Sequence, residues 1–451
     1  MKYSEFIKSN HLKFQEHQES GFQWCSHREQ EKEDYQYHYG GIIADEMGTG
    51  KTILMTSIIA CRSEPKTLVV VPLPILHQWV HAFKQYTNLS CFVYYGASKK
   101  NINDHANIVV TTYGNVVYDF KKHGYLFSNF FDRVLFDEAH NMRNKKSQIH
   151  LAVSHLQCNI MWLLSGTPIQ NKKSDFYNLC DIMKIRNPKS IEPEELSKIV
   201  IRRTKEDAKI HMPMLMKVNV RVPWDEQEKM LCMGIHSKLF PNGGNANDYE
   251  IFQKQDANIV KKFGTFHLPY YLRAKQMCVC PTILYKQLGG ETVIMNSKLR
   301  AVASKILSRN NDNKKLVFCQ FREEMNYLHD LLAPHINCEI YEGSLSKQQR
   351  TSLLERDPEV LIIQMKMGCE GLNLQSRNEI YFVSPFWNPG MESQAIGRCY
   401  RYGQQKTVVV FKFFMEDVDF HGKSQTLDSY VQEASNKKVE IMTEMFESLN
   451  I

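Results

Sequence analysis

Short runs of aliphatic and β-branched residues punctuate the first half of the chain without alternating with polar positions. They are GGIIADE (40–46), TLVVVP (67–72), NIVVTTY (107–113), RVLFDE (133–138) and MWLLSGT (161–167). An unbroken apolar run of this length predicts a strand buried on both faces, as in a parallel sheet with helices on either side. The stretches between the runs are long enough for crossover helices. A second series follows: KLVFCQF (315–321), CEIYEG (338–343), VLIIQ (360–364), EIYFVSP (379–385) and VVVFKFF (408–414). The chain thus reads as α/β, with two lobes of parallel sheet flanked by helices. Between them, from about 172 to 290, charge rises and strand runs vanish. That stretch predicts helical insertions and a connector, with PNGGNAND (241–248) as an exposed loop. The expected division is a first lobe over 1–180, insertions and connector over 181–295, a second lobe over 296–415, and a helical tail over 416–451.

Length agrees with this, since 451 residues leave room for two or three cores. Apolar residues at 43% and charged ones at 23% are the proportions of an ordinary globular protein. The formal charge of +7 is compatible with nucleic acid but too mild to argue for it alone. None of the twelve cysteines falls into paired CxxC spacing, so no structural zinc is expected. Scattered thiols point instead to a reducing compartment. No signal peptide or membrane-length apolar run is present, so neither secretion nor membrane insertion is expected.

The sharpest local chemistry is DEMGTGKT, directly after the first run. Asp45, Glu46, Met47, Gly48, Thr49 and Gly50 form a glycine-bearing turn that opens a helix. Such a turn offers backbone N–H groups to phosphate oxygens, with Lys51 reaching the terminal phosphates and the Thr52 hydroxyl holding Mg²⁺. The strict phosphate-loop pattern wants glycine at 45, where Asp45 stands; a chance loop is the competing reading. RVLFDEAH ends a strand in two carboxylates, Asp137 and Glu138. A strand's C-terminal end is where an open α/β sheet places ligand chemistry. Asp137 suits the metal and Glu138 the attacking water; a solvated acidic turn is the alternative. Late in the chain, IGRCYRYGQQK (396–406) sets Arg398 and Arg401 three apart, on one face if the segment is helical. If the lobes face one another across a cleft, these arginines reach the γ-phosphate; otherwise they form a solvated basic face or hold DNA phosphates.

In order and spacing, DEMGTGKT, VVVPLPILHQW, VVTTYG, DEAH, LLSGTPIQN, GCEGLNL and QAIGRCYRYGQ resemble the Swi/Snf-type ATPases over about residues 12–415. The resemblance implies two RecA-like lobes that translocate on double-stranded DNA at the expense of ATP with Mg²⁺. It also implies residue roles. Gln18 would read the adenine edge, with Trp24 packing nearby. Lys51 and Thr52 would serve triphosphate and metal, and Asp137 and Glu138 metal and water. Ser165, Gly166 and Thr167 would couple nucleotide state to movement. Gly371 and Asn373 would lie near nucleotide and DNA. Arg398 and Arg401 would be arginine fingers. Thr111 and Thr112 are candidate DNA-backbone contacts, and Trp387 a coupling residue. Gly397 and Glu370 depart from the family pattern, which touches coupling and removes no reacting group.

Two rivals remain open: a strand-separating helicase, and a DNA-bound transcription cofactor without turnover. The late motif QAIGRCYRYGQ differs from the QRxGRAGR form of RNA helicases, which favours translocation. The chain's economy resembles compact viral members of the family, with targeting left to partners such as nucleosomes or transcription and repair proteins. Localisation would be nuclear in a eukaryotic host, although no clear nuclear-localisation run is present, and cytoplasmic otherwise.

Overall fold

The five apolar runs of the first half all become strands in the computed structural model. It describes residues 2–30, 39–63, 66–100, 105–185, 187–190, 192–239, 267–287, 295–309, 311–368, 372–420 and 423–448. The expected loop at 241–248 and Gly371 lie outside the described residues. These residues divide into two units, Met1–His211 with Glu440–Ile451, and Met212–Val439.

In the first unit seven strands run parallel: β1 (Tyr39–Ile43), β2 (Thr67–Val71), β3 (Cys91–Val93), β4 (Ile108–Thr112), β5 (Arg133–Asp137), β6 (Ile160–Leu164) and β7 (Val200–Ile201). Their order is β3-β4-β2-β5-β6-β1-β7. The unbroken runs have the expected cause. Successive residues of one strand enter opposite cores, Ile42 on one face and Ile43 on the other, as do Leu163 and Leu164. Helix Lys51–Cys61, buried at every position from Leu54 to Ile59, contributes Leu54, Met55, Ile58 and Ile59, and helix Leu76–Tyr86 contributes Leu76, Trp79, Val80 and Phe83 as a single apolar stripe.

Register decides where the chemistry can gather. Ile43 lies opposite Leu164 and Ile201, and Leu164 lies opposite Asp137. Four strands therefore end level, and the segments beginning at Ala44, Glu138, Ser165 and Arg202 leave from one edge of the sheet.

The second unit holds β8 (Leu215–Val222), β9 (Lys314–Cys319), β10 (Cys338–Tyr341), β11 (Val360–Gln364), β12 (Arg377–Phe382) and β13 (Val408–Met415). All six run parallel in the order β10-β11-β9-β12-β13-β8. Here the structure corrects the expected division. Strand β8 falls inside the stretch read as strandless. It pairs with β13 over eight residues but exposes Met216, Lys217, Asn219 and Arg221, so it carries no continuous apolar run. Helices Glu226–Leu239 and His267–Val279 are not a separate insertion either. Their Cys232, Ala274, Met277 and Cys278 share one core with Val317, Cys319 and Phe413. Residues 181–211 belong to the first unit instead. Of the tail, Leu427, Tyr430 and Val431 join the core of the second unit, and Met445 and Phe446 that of the first. Among the described residues no helix is long and apolar enough to cross a membrane.

Candidate functional site

The turn after β1 is shaped by two left-handed glycines, Gly48 at φ +89° and Gly50 at φ +93°. Gly50 immediately precedes helix Lys51–Cys61, and a Cβ on it would stand 2.5 Å from Gln18 Nε2. Glycine there permits both the backbone turn and the approach of Gln18. Lys51 folds back over its own loop, with Nζ donating to the carbonyl oxygens of Asp45 (2.7 Å) and Glu46 (3.0 Å). Burial lowers the pKa of its ammonium, while the nearby carboxylates of Asp45, Glu138, Asp137 and Glu46 hold it up. The lysine therefore sits in the field of both halves of the expected site. Thr52 follows on the first turn of the helix, half-buried.

Asp137 ends β5 with both carboxylate oxygens engaged. Trp79 Nε1 donates to Oδ2 at 2.7 Å, and the Glu138 backbone N–H to Oδ1 at 2.9 Å. Burial, and after it the Glu138 charge, push the Asp137 carboxyl up to about 6. Glu138 occupies left-handed backbone at φ +52°, a conformation that costs a non-glycine residue free energy and clusters at functional sites. His140 places Nδ1 3.1 Å from Ser165 Oγ and 3.3 Å from Glu138 Oε2. Burial lowers its pKa to about 3, so the ring is neutral and its approach to Glu138 is not an ion pair. Ser165 Oγ also accepts the Thr167 N–H at 3.2 Å, and the Thr167 hydroxyl is buried without a partner among the described residues. A Cβ on Gly166 would meet Met47 Cγ at 2.8 Å, so the turn after β6 packs directly on the glycine turn after β1. Ser165, Gly166 and Thr167 thus touch the acid pair through His140 and the phosphate loop through Met47.

On helix Glu16–Gln30, Gln18 Nε2 donates to the Thr49 carbonyl at 2.6 Å, and His17 Nε2 lies 2.9 Å from the same oxygen. Gln18 Oε1 is buried with no partner among the described residues, which leaves a buried acceptor beside the phosphate loop. Trp24 packs on Trp162, ring centroids 5.7 Å apart.

Several expected positions fall elsewhere. Thr111 and Thr112 are buried. The Thr111 hydroxyl donates to the Tyr94 carbonyl at 2.8 Å, and that of Thr112 caps the helix that follows by accepting from Asn115 N. Neither is offered at a surface that DNA could touch. Arg398 and Arg401 do not share a helical face, because helix Pro389–Ile396 ends before them. They stand in the turns between its C-cap, Gly397, and the left-handed Gly403 at φ +94°. The Arg398 carbonyl accepts the Leu374 N–H at 3.2 Å, which joins this turn to the segment of exposed Asn373. Trp387 is half-buried, with Lys438 Nζ 4.4 Å above its ring. Three residues of the first unit's site were not singled out by sequence reasoning. Trp79 lies within VVVPLPILHQW, His140 within DEAH, and Arg203 within IVIRRTKED (199–207), which resembles the family's segment leading out of the first lobe but gives no sign of a role at the phosphate loop.

Residues 17–193 match the SNF2-related domain, and residues 297–403 the helicase conserved C-terminal domain. The chain is 26% identical to the probable global transactivator of Orgyia pseudotsugata multicapsid polyhedrosis virus, covering 96% of this chain and 91% of that one. It is 26% identical to the putative ATP-dependent helicase/translocase YwqA of Bacillus subtilis, over 91% of this chain and 48% of that one. With the DNA repair protein rad8 of Schizosaccharomyces pombe it shares 24%, over 84% and 50%. It therefore spans nearly all of the viral relative and about half of the other two. Among solved structures, the Sulfolobus solfataricus SWI2/SNF2 ATPase core in complex with dsDNA aligns over 97% of this chain and 93% of that one, with 22% identity and a TM-score of 0.42. The two matched domains cover more than half of the sequence in the expected order, and the chain belongs to the Swi/Snf-type helicase-like family of DNA-dependent ATPases.

Proposed function

We propose that this protein is an ATP-driven translocase on double-stranded DNA that remodels protein–DNA complexes in transcription, chromatin or repair. One observation carries the reading: a phosphate-loop lysine, two adjacent carboxylates and a buried amide oxygen without a partner among the described residues meet at one edge of one parallel sheet. The helix N-terminus after Gly50 and the backbone of the loop suit the phosphates of ATP, and Gln18 Oε1 suits the exocyclic amine of adenine.

The residues present also fit a divalent cation. Asp137 is a buried carboxylate at the strand end with a second carboxylate, Glu138, beside it, and Thr52 supplies a hydroxyl on the first turn after the loop. Magnesium bound there would be held by Thr52 and Asp137, and would neutralise charge on the transferring phosphoryl group. The chain's own groups do the rest. Lys51 holds the terminal phosphates. Glu138, fixed by its left-handed backbone, orients the attacking water and accepts its proton. Arg398 and Arg401 are assigned to charge that builds up on the phosphoryl oxygens. His140 links Glu138 to Ser165, so a change at the carboxylate is felt in the turn that packs on the phosphate loop. For hydrolysis to drive movement, the affinity for DNA must differ between nucleotide states. Contacts to the DNA backbone carry no sequence information, so target choice falls to partners.

Phosphate release with and without duplex DNA tests the chemistry, with Lys51→Ala and Glu138→Gln as controls. Duplex-stimulated turnover that both variants abolish is expected; turnover indifferent to DNA or to Lys51 would overturn the reading. Triplex displacement beside fork unwinding tests the motor. Displacement without unwinding is expected, and the reverse pattern would make the protein a strand-separating helicase.

A further inference from the structure

The phosphate loop has a second clasp that the reaction described above does not use. Strand β7 lies beside β1 in a register that sets Ile201 opposite Ile43, so the two segments continue together past their strands. Ala44 N donates to the Ile201 carbonyl at 2.7 Å, and Glu46 N to the Arg203 carbonyl at 2.8 Å. Arg203 and Asp45 are thereby brought side by side. The guanidinium takes the carboxylate with two nitrogens, Nε at 3.1 Å from Oδ1 and Nη2 on Oδ2. Both side chains are almost fully enclosed, 11% and 2% exposed, so solvent screens the pair weakly. Lys205 repeats the pattern one step on, with its N–H on Glu46 Oε2 at 2.9 Å and Nζ 3.0 Å from Oε1.

The third face of the same guanidinium reaches helix Glu16–Gln30. Nη1 donates to the His17 carbonyl and lies 3.4 Å from Ser20 Oγ. Gly21 admits it, since a Cβ there would come within 2.7 Å of both terminal nitrogens. One arginine thus spans the residue before Gln18 and the first residue of the loop that carries Lys51. A planar fork with five fixed donors can hold three anchors at set distances, which a lysine cannot. Asp45, the departure from the strict phosphate-loop pattern, is the counterpart this fork requires.

We propose that Arg203 is a positioning residue for nucleotide selection, fixing the spacing between the base-reading Gln18 and the triphosphate cradle. The inference rests on the ATPase reading above. Without the clasp the cradle still binds phosphates, but base and phosphates no longer register together. Preference for adenine then falls along with affinity, while the reacting groups stay in place.

The experiment uses the full chain, comparing wild type with Arg203→Lys, Arg203→Gln and Asp45→Asn. It measures steady-state hydrolysis of ATP and GTP with duplex DNA, and equilibrium titration with fluorescent adenine and guanine nucleotides. For Arg203→Gln the KM for ATP should rise about tenfold to a hundredfold, as for loss of a charge-assisted fork, with kcat within about threefold of wild type. Asp45→Asn should raise KM as far, and kcat should fall as well because a carboxylate in the field of Lys51 is lost. The ratio of ATP to GTP efficiency should fall with it, and Arg203→Lys should lie between. Unchanged KM and selectivity in Asp45→Asn, whose shape is conserved, would overturn the proposal, as would loss of kcat at constant KM. If Arg203→Gln does not fold, Asp45→Asn decides alone. If the wild type binds nucleotide but does not hydrolyse it, the ATPase reading fails, while the titrations still judge the clasp.

Discussion

Trp79 Nε1 donates to Asp137 Oδ2 at 2.7 Å, so the carboxylate assigned to the metal is held by the indole of a helix two strands away in sequence. The indole N–H is one of the groups that oppose the upward push of burial on this acid. Trp79→Phe keeps most of the packing and removes the donor. A hydrogen bond to a buried charged group contributes about 1.5–3 kcal/mol, so the urea midpoint should fall by a corresponding amount. Turnover should fall with it, because the carboxylate loses one of its two fixed directions. Full activity in Trp79→Phe would show that the Glu138 N–H suffices.

Gly50→Ala tests the close approach of Gln18. An alanine here must adopt φ near +93° and place its Cβ 2.5 Å from Gln18 Nε2. Left-handed strain of this kind costs on the order of 1–3 kcal/mol, and the amide must also leave the Thr49 carbonyl. Titration with a fluorescent ATP analogue should show affinity lowered at least about tenfold. Affinity equal to wild type would mean that Gln18 can withdraw without loss, and would remove it as a base reader.

The sequence disclosed the strands that are buried on both faces and hid the others, for a physical reason. Runs such as RVLFDE are apolar throughout because each successive side chain enters a core. Strand β8 borders solvent and interleaves Lys217, Asn219 and Arg221 with its apolar residues, while β3 and β7 are three and two residues long. Among the site residues, Lys51, Asp137 and Glu138 were legible because they are local to one turn or one strand end. Arg203 was not, since its partner Asp45 is 158 positions away and only the β1–β7 register brings them together. The arginines at 398 and 401 were found by type and spacing, but the helix assigned to them was stopped by Gly397.

Glu324 gives a pH dependence with a definite sign. Its Oε2 accepts the N–H groups of Gln320 (2.8 Å) and Phe321 (2.9 Å), while Oε1 is buried with no partner among the described residues. Burial pushes its carboxyl up to about 7, against the downward pull of those two N–H groups and of Lys298. A folded-state pKa above the unfolded one means that the unfolded chain releases this proton first. The contribution to stability is therefore whole below about pH 4.3 and is lost as pH rises toward 7. Glu324→Gln keeps an acceptor for both N–H groups and removes the titration. The variant should gain on wild type by about 1–3 kcal/mol between pH 5 and pH 8, read from urea midpoints at each pH. A constant difference across that range would mean that Glu324 is ionised throughout.

Two arginines of the second unit should respond to alanine in opposite ways. Arg377 is buried at the start of β12, donating to the carbonyls of Lys315 (3.1 Å) and Pro358 (2.8 Å) and pairing with Asp357 at 3.1 Å. Its removal strands those carbonyl acceptors, while the partly exposed Asp357 keeps Lys314 as a partner, so Arg377→Ala should lower stability by about 1–3 kcal/mol. The Arg401 side chain makes no hydrogen bond or ion pair among the described residues, yet partial burial lowers its pKa below the ordinary guanidinium value. A cation held out of water without a partner costs stability, so Arg401→Ala should leave the urea midpoint unchanged or raise it. A residue kept at such a cost is expected to act on something bound. The same variant should then lose about 10³-fold or more in turnover, the range of an arginine that stabilises phosphoryl transfer. Wild-type turnover with an unchanged midpoint would leave Arg401 no part in the reaction and would confine charge stabilisation to Arg398.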